Sequence, residues 1–164
     1  MLAASLDAIR TLIKNTFPAV EKIYVTTMPR LFSRPSFFVD LVSAREDDLN
    51  KTMYQGRYTW QIVYFAPVDA NNNPDKFDQF NTSDTLKAAL MNAMTLIGPE
   101  VSDDKGKIIR PEIIYHILDV EGGPRDAEVY ITIRLEAEFT RPSETYDLMQ
   151  EIQHLQMIGE VQIN

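Results

Sequence analysis

The stretch that decides the fold is AEVYITIRLEAEF, residues 127–139, in which apolar and polar side chains alternate. Successive side chains of a β-strand point to opposite faces, so this pattern predicts a strand with one buried and one solvated face. The predicted buried positions are Val129, Ile131, Ile133, Leu135, Ala137 and Phe139. We therefore expect an antiparallel sheet that is covered on a single side.

Two earlier stretches extend this sheet. Residues 36–42 (SFFVDLV) predict a strand that is apolar on nearly both faces, and residues 44–48 lead the chain from it into solvent. Residues 54–65 (YQGRYTWQIVYF) predict a longer strand, which we expect to pair with it antiparallel. One face of this longer strand carries Tyr58, Trp60, Ile62 and Tyr64. A short strand is predicted at residues 22–27, followed by an ordered loop between Pro29 and Pro35.

Apolar residues with helical spacing occur both before and after these strands in the sequence. Residues 2–13 repeat apolar side chains every three or four positions, and the helix should end near Phe17–Pro18. A second helix is predicted to begin at a cap on Thr82 or Ser83 and to end at Gly98–Pro99. Its buried face is expected to carry Leu86, Leu90, Met94 and Ile97. A third helix is predicted at residues 144–155.

The remaining segments complete a single-domain plan. Residues 66–83 predict a loop, residues 103–106 a turn, residues 108–120 a strand, and residues 122–124 (GGP) the turn that precedes residues 127–139. A terminal strand is predicted at residues 159–163. The resulting order, α-β-β-β-α-β-β-α-β, indicates one α+β domain over residues 1–164, with a mixed, mainly antiparallel sheet and helices packed on one face.

Composition narrows the class of protein. The 164 residues are 45% hydrophobic and 24% charged, with 8 Phe, 7 Tyr and 1 Trp, which suits a folded soluble domain. The chain has no cysteine, which excludes disulfides, a thiol nucleophile and cysteine-type zinc sites and favours an intracellular origin. We expect no signal peptide, because Asp7, Arg10 and Lys14 interrupt the first apolar stretch, and no membrane span.

The net charge and the distribution of basic residues argue against a protein that binds nucleic acid tightly. The net charge is −8, from 24 acidic and 16 basic residues, and the basic residues are dispersed. Binding to phosphates needs a local positive field. DNA is therefore expected, at most, to slide past this protein.

Two short patterns suggest metal chemistry, and their contexts argue against it. Pro74-Asp75 with Asp103-Asp104-Lys105 spells the motif of metal-dependent nucleases, yet the first part lies in an Asn-rich loop and the second in a turn. Asp69, Asn71 and Asn73 resemble the start of a calcium loop. Such a loop needs Gly at its sixth position and Glu at its twelfth, where this chain has Pro74 and Phe80.

No other catalytic motif stands out. The two histidines, His116 and His154, are too few for a multi-histidine metal site, and the glycines lack the spacing of a nucleotide-binding loop. We therefore predict that the protein is not an enzyme and binds no cofactor or metal.

Arginines beside apolar residues instead favour an interface, because guanidinium groups pair with carboxylates and stack on rings. The acidic runs at residues 46–48 and 103–104 are possible acceptors on a neighbouring subunit. The candidate interface residues are Arg30, Leu31, Phe32, Arg34, Arg57, Asp69, Asn72, Phe77, Phe80 and Arg141.

Several short stretches share a pattern of packing residues: Ile9-Arg10 with Ile13, Phe17-Pro18, Ile23-Tyr24, Arg34-Pro35-Ser36-Phe37-Phe38, and the strand from Arg57-Tyr58 to Ile62-Val63-Tyr64-Phe65. In these stretches the chain resembles the tail terminator proteins of tailed phages, prophages and bacteriocin-like particles. The resemblance is firmest over residues 1–66 and continues colinearly through the second helix and the later strands. It is a pattern of packing residues.

The resemblance implies a subunit of a six-membered ring at the head-proximal end of the tail tube. Such a ring stops polymerisation of the tube, and of the sheath in contractile tails, and offers a docking surface to the head connector. It implies as partners other copies of the chain, the tail tube protein, the sheath protein and connector proteins, and a location in the virion after assembly in the host cytoplasm. DNA would pass through the ring without specific binding, since an acidic lumen gives phosphates no cations.

Three alternatives remain open from the sequence. A head-tail connector or tail completion protein would also form rings and differ mainly in its neighbours. An acidic DNA mimic is less consistent with the sequence, because the carboxylates alternate with apolar strand positions. A metal-dependent nuclease is the enzymatic alternative.

Overall fold

Four strands of 13 residues each form the centre of the sheet: β2 (Ser36–Asp48), β3 (Met53–Phe65), β7 (Ile113–Arg125) and β8 (Glu128–Thr140). The structure is a computed structural model that describes residues 1–27 and 29–141. The short strands β1 (Ile23–Val25) and β4 (Thr95–Gly98) lie at the edges, in the order β1-β2-β3-β8-β7-β4. Among the strands of the described residues, only β1 pairs in parallel, and β5 (Val101–Ser102) with β6 (Ile108–Arg110) forms a separate hairpin.

The alternating stretch occupies the middle of this sheet as β8, between β3 and β7. Its predicted buried positions are all buried, and Ile133 lies opposite Trp60 of β3 and Val120 of β7. The predicted antiparallel pairing of β2 with β3 is confirmed, as is the burial of alternate aromatic and aliphatic residues along β3. Period-two patterning therefore identifies the buried face of both strands correctly.

Two helices, α1 (Leu2–Thr16) and α2 (Lys76–Ala93), cover the buried face. α1 lies against β4, and α2 lies against β7 and β8. Three hydrogen bonds from the sheet secure them: Trp60 Nε1 donates to Ser5 Oγ at 3.1 Å, the Tyr64 hydroxyl to Asp78 Oδ2 at 2.7 Å, and the Tyr115 hydroxyl to the Met1 carbonyl at 2.7 Å. The predicted fold class, an α+β sheet with helices on one face, is confirmed.

The bounds predicted for the second helix are wrong at both ends. α2 begins earlier, because Asp75 rather than Thr82 or Ser83 is its N-cap, accepting from the backbone N–H groups of Phe77 and Asp78. Thr82 and Ser83 are buried inside the helix. α2 ends at Ala93, since Met94 has a positive φ of 56° and Thr95–Gly98 pairs with β7. Met94 and Ile97 are therefore exposed and do not continue the buried face of Leu86 and Leu90.

The strand bounds also differ from the prediction in two places. β2 continues through residues 44–48 because they pair with β3 up to Asp48 opposite Tyr54. The predicted strand at 108–120 is two strands, β6 and β7, and β7 runs on through the residues 122–124 that were predicted to be a turn. Gly122, with φ of 113°, lies so close to the Tyr130 carbonyl that a Cβ would be 2.1 Å from that oxygen. The turn lies at Asp126, where φ is 52°.

Bulges curl the sheet at Val42 in β2 and Leu118 in β7, where the pairing register shifts by one residue. Both bulged side chains are exposed. The predicted helix at 144–155, the predicted strand at 159–163 and His154 lie outside the described residues. Within residues 1–27 and 29–141, no helix is long and apolar enough to cross a membrane. That the chain is one domain over residues 1–164 stays a prediction.

Candidate assembly surfaces

The ten predicted interface residues lie at two opposite ends of the sheet. We call the first the Ala66 end: β3 and β7 end there, β2 and β8 begin there, and the Lys76 ammonium donates to the Asp126 carbonyl. Eight candidates belong to it: Arg30, Leu31, Phe32, Arg34, Asp69, Asn72, Phe77 and Phe80. The second is the Asn50 end, formed by the β2–β3 turn and the end of β8, and it carries Arg57 and Arg141.

The loop at residues 29–35 folds back on the end of β3 through Arg34. The Arg34 guanidinium carbon lies 5.1 Å from the ring centre of Phe32 and 5.3 Å from that of Phe65. Arg34 also donates to the Ala66 carbonyl at 3.1 Å and lies 3.8 Å from a Glu128 carboxylate oxygen. These contacts give Arg34 and Phe32 a role inside the subunit.

The tip of the same loop points away from the subunit. Leu31 is 95% exposed, and Arg30 beside it is exposed as well. A leucine that gains no burial in the subunit contributes little to folding. The loop therefore has a stabilising base and a tip that is free to contact another chain.

We expect Arg34→Lys to destabilise the subunit by about 1–2 kcal/mol, because an ammonium group cannot stack on two rings and reach both oxygens as the planar guanidinium does. Urea unfolding followed by circular dichroism measures this change. Arg30→Lys is the matched control, and we expect it to unfold like the parent protein. Equal stability of both variants would show that Arg34 does not hold the loop.

The loop at residues 66–75 is organised by its own hydrogen bonds. Asp69 Oδ1 accepts from the backbone N–H groups of Asn71 and Asn73, each at 2.8 Å. The hydrogen bonds from Asn73 lower the pKa of Asp69. Asn72 has a φ of 63°, a left-handed conformation that asparagine tolerates. The loop is thus a defined surface feature in which Asp69 shapes the turn and Asn72 is exposed.

Phe77 and Phe80 lie in the first turns of α2, not in the loop where the sequence placed them. Phe77 is 73% exposed and Phe80 is 55% exposed. Positions three apart on a helix share a face, so the two rings form an exposed aromatic pair next to the loop at 66–75. Together with Leu31, they make the Ala66 end rich in solvent-facing apolar side chains.

At the Asn50 end, the candidate arginines pair with carboxylates of the same chain. Arg57 Nε donates to Glu136 Oε2 at 2.8 Å, and this hydrogen bond raises the pKa of Arg57. Arg141 forms an ion pair with Asp48, and its guanidinium carbon lies 5.9 Å from the Tyr54 ring centre. Part of the acidic run at 46–48, predicted to receive arginines from a neighbour, is thus already used within the subunit.

The structure exposes two apolar sets that the sequence did not single out. Met91, Met94 and Leu118 are exposed beside one groove, between the C-terminal end of α2 and the bulge of β7. Ile97 and Ile114 are direct cross-strand partners in β4 and β7, and they are exposed on the face of the sheet opposite the helices. Recognising either set requires the pairing of β4 with β7.

The residues of the rejected metal motifs have local structural contacts. Asp75 caps α2, and Asp103 Oδ1 accepts from the backbone N–H groups of Lys105 and Lys107 in the β5–β6 turn. His116 is an exposed strand residue opposite Glu136. In the part of the chain that the structure describes, no three His, Asp or Glu residues are grouped closely enough to hold a metal ion.

Comparison with known families assigns the chain. The family model described as "Phage tail terminator protein" matches residues 6–119, which is more than half of the chain and extends from α1 into β7. No curated protein matches the sequence significantly. The family is a structural one whose members are components of the virion tail, and its role implies contacts with other tail or head proteins. The chain belongs to the phage tail terminator family.

Proposed function

We propose that six copies of this protein form a ring on the head-proximal end of the tail tube. The ring stops tube polymerisation, and sheath growth where the tail is contractile, and it offers a docking surface to the head connector. The observation that carries this proposal is the family match over residues 6–119, which includes most of α1, all of α2 and the loops at residues 29–35 and 66–75. Assembly takes place in the host cytoplasm, and the protein remains in the neck of the virion.

The Ala66 end supplies the contact surface in this proposal. A head-to-tail ring joins one patch of a subunit to a different patch of its neighbour. Leu31, Phe77 and Phe80 give the Ala66 end exposed apolar area, which is characteristic of protein contact surfaces. Arg30 is exposed beside them and offers a cation to a carboxylate of another copy.

The charge of the protein suits a ring that surrounds DNA. The net charge is −8. In the part of the chain that the structure describes, seven arginines lie within 4 Å of a carboxylate of the same chain: Arg10, Arg34, Arg45, Arg57, Arg110, Arg134 and Arg141. Affinity for DNA comes largely from cations that replace the counterions of the phosphates. An acidic lumen therefore lets the genome pass without binding it.

We expect Leu31→Asp combined with Phe77→Asp to abolish tube capping while leaving the subunit folded. Both side chains are exposed, so the substitutions should change stability by only about 0.5 kcal/mol each. The parent protein and the variant are added to polymerising tail tube protein. Native mass spectrometry then measures ring stoichiometry, and electron microscopy measures tube length.

The matched control is Val42→Asp, which also places a carboxylate at an exposed apolar position but lies away from the Ala66 end. It should cap tubes like the parent protein. Capping by the double variant would show that the Ala66 end is not the contact surface. Equal loss in the control would assign the effect to added charge.

A further inference from the structure

A groove opens in the sheet where β7 and β8 separate. The pairing between the two strands ends at His116 opposite Glu136, although β7 begins at Ile113 and β8 continues alongside β3 to Thr140. A cavity of about 590 Å³ lies at this opening and is lined by residues of both strands. The groove belongs to the Asn50 end of the subunit, because β8 ends there.

The lining of this groove combines apolar side chains with carboxylates. Ile114, which is 53% exposed, lines it together with the exposed side chains of Glu112 and Glu138. In the described part of the chain, neither of these two glutamates lies within 4 Å of a basic group, whereas Glu136 is paired with Arg57. The groove therefore offers unpaired negative charge next to an apolar surface.

The complementary positive charge lies at the Ala66 end. Among the residues that the structure describes, Arg30 and Arg125 are the arginines with no carboxylate within 4 Å, and both are exposed. Arg125 is the cross-strand partner of Glu128 and precedes Asp126, so carboxylates of its own chain are its neighbours. Arg30 instead lies at the loop tip, beside the 95% exposed Leu31.

Arg30 cannot reach the groove of its own subunit. The Ala66 end and the Asn50 end lie at opposite ends of strands of 13 residues, which span roughly 40 Å. The base of the loop is held at the Ala66 end by the hydrogen bond from Arg34 to the Ala66 carbonyl. A contact between the loop tip and the groove must therefore join two copies. Two different patches at opposite ends of a subunit are what a head-to-tail ring requires.

We propose that the loop tip of one subunit docks in the groove between β7 and β8 of the next subunit. Arg30 then lies between Glu112 and Glu138, and Leu31 packs against Ile114. This contact rests on the ring of the proposed function and identifies its subunit interface. Complementary charges at an interface determine which surfaces meet, because a like charge in the same place is strongly unfavourable.

Charge reversal on each side of the contact tests the proposal. Native mass spectrometry of the full-length protein measures the concentration at which half of the subunits are in rings. Arg30→Glu and Glu138→Arg should each raise this concentration by about tenfold or more, because each places like charges in contact. The combined variant should assemble about threefold better than Arg30→Glu alone, because opposite charges meet again.

The matched control is Arg125→Glu, which makes the same charge change at the other unpaired arginine of the Ala66 end. It should form rings at the same concentration as the parent protein. Equal loss in this control would assign the effect to the total charge of the Ala66 end and overturn the contact. Circular dichroism reports whether the variants keep the fold, and all the substituted positions are exposed.

The outcomes separate this contact from the ring itself. A parent protein that stays monomeric, also with tail tube protein present, would overturn the ring and this contact with it. Rings that form equally well with Arg30→Glu, or a combined variant that shows no recovery, would overturn the contact and leave the ring in place. Arg30→Glu rings that no longer stop tube growth would assign Arg30 to the tail tube protein and also overturn the contact.

Discussion

Ile133→Asp should abolish soluble folding. Ile133 is fully buried in the middle of β8, between Trp60 on β3 and Val120 on β7, and no neighbouring position in that row offers a cation. Burying an unpaired carboxylate costs several kcal/mol, against a total stability of roughly 5–15 kcal/mol for a domain. Expression with separation of soluble and insoluble fractions, followed by circular dichroism of any soluble protein, measures the result.

Two substitutions on the opposite face of β8 are the controls. Glu136→Lys removes the acceptor of Arg57, and we expect a loss of at most about 1 kcal/mol, as for partly exposed ion pairs. Glu138→Lys changes an exposed side chain and should be milder still. Soluble, cooperatively folding Ile133→Asp protein would mean that the register of β8 is wrong.

The buried and exposed faces of β8 could be predicted because apolar and polar side chains alternate along its sequence. In β3 and β8, every second side chain is apolar, and a one-residue error in register would expose all of them. The faces of both strands were therefore predictable without knowing any neighbour. The first helix was predictable for a similar reason, since its apolar spacing ends just before Phe17–Pro18.

The end of α2 was not predictable in this way. Met94 and Ile97 continue the helical spacing of Leu86 and Leu90, so local pattern extends the helix to Gly98. In the structure, Ile117 donates its backbone N–H to the Met94 carbonyl at 2.9 Å, and Thr95–Gly98 becomes an edge strand. Pairing with β7, a strand distant in sequence, overrides the local preference.

The candidate contact residues, like the secondary structure, could be predicted only in part from the local sequence. Arginines next to apolar residues were predicted to lie at contacts between subunits, and those contacts stay a prediction. The sequence could not tell them from contacts within the subunit. Arg57 meets Glu136, and Arg141 meets Asp48, across 79 and 93 residues of sequence. Only the sheet topology brings these partners together. By contrast, Leu31 was a candidate because it lies between Pro29 and Pro35, and it is 95% exposed.

Removing the gene from an assembling particle should yield headless tails of uncontrolled and often excessive length. A tube is a stack of rings that keeps growing unless its open end is capped by a ring that further tube subunits do not recognise. Such a cap needs one face that resembles a tube ring and another that repels tube subunits, because specificity requires repulsion as well as attraction. Electron microscopy of tail lengths measures the effect, and purified protein added during assembly should restore a defined length.

The exposed carboxylates of Glu46 and Asp104 are the candidates for that repulsion, since Asp47 and Asp48 of the same acidic run are engaged by Arg45 and Arg141. Add-back of Glu46→Lys combined with Asp104→Lys should therefore restore length control less well than the parent protein. Tails of normal length already joined to DNA-filled heads in the deletion would contradict the terminator role. Tails of normal length that fail to join heads would instead favour a head-tail connector, because length would then be set by another protein and only the joining step would depend on this one.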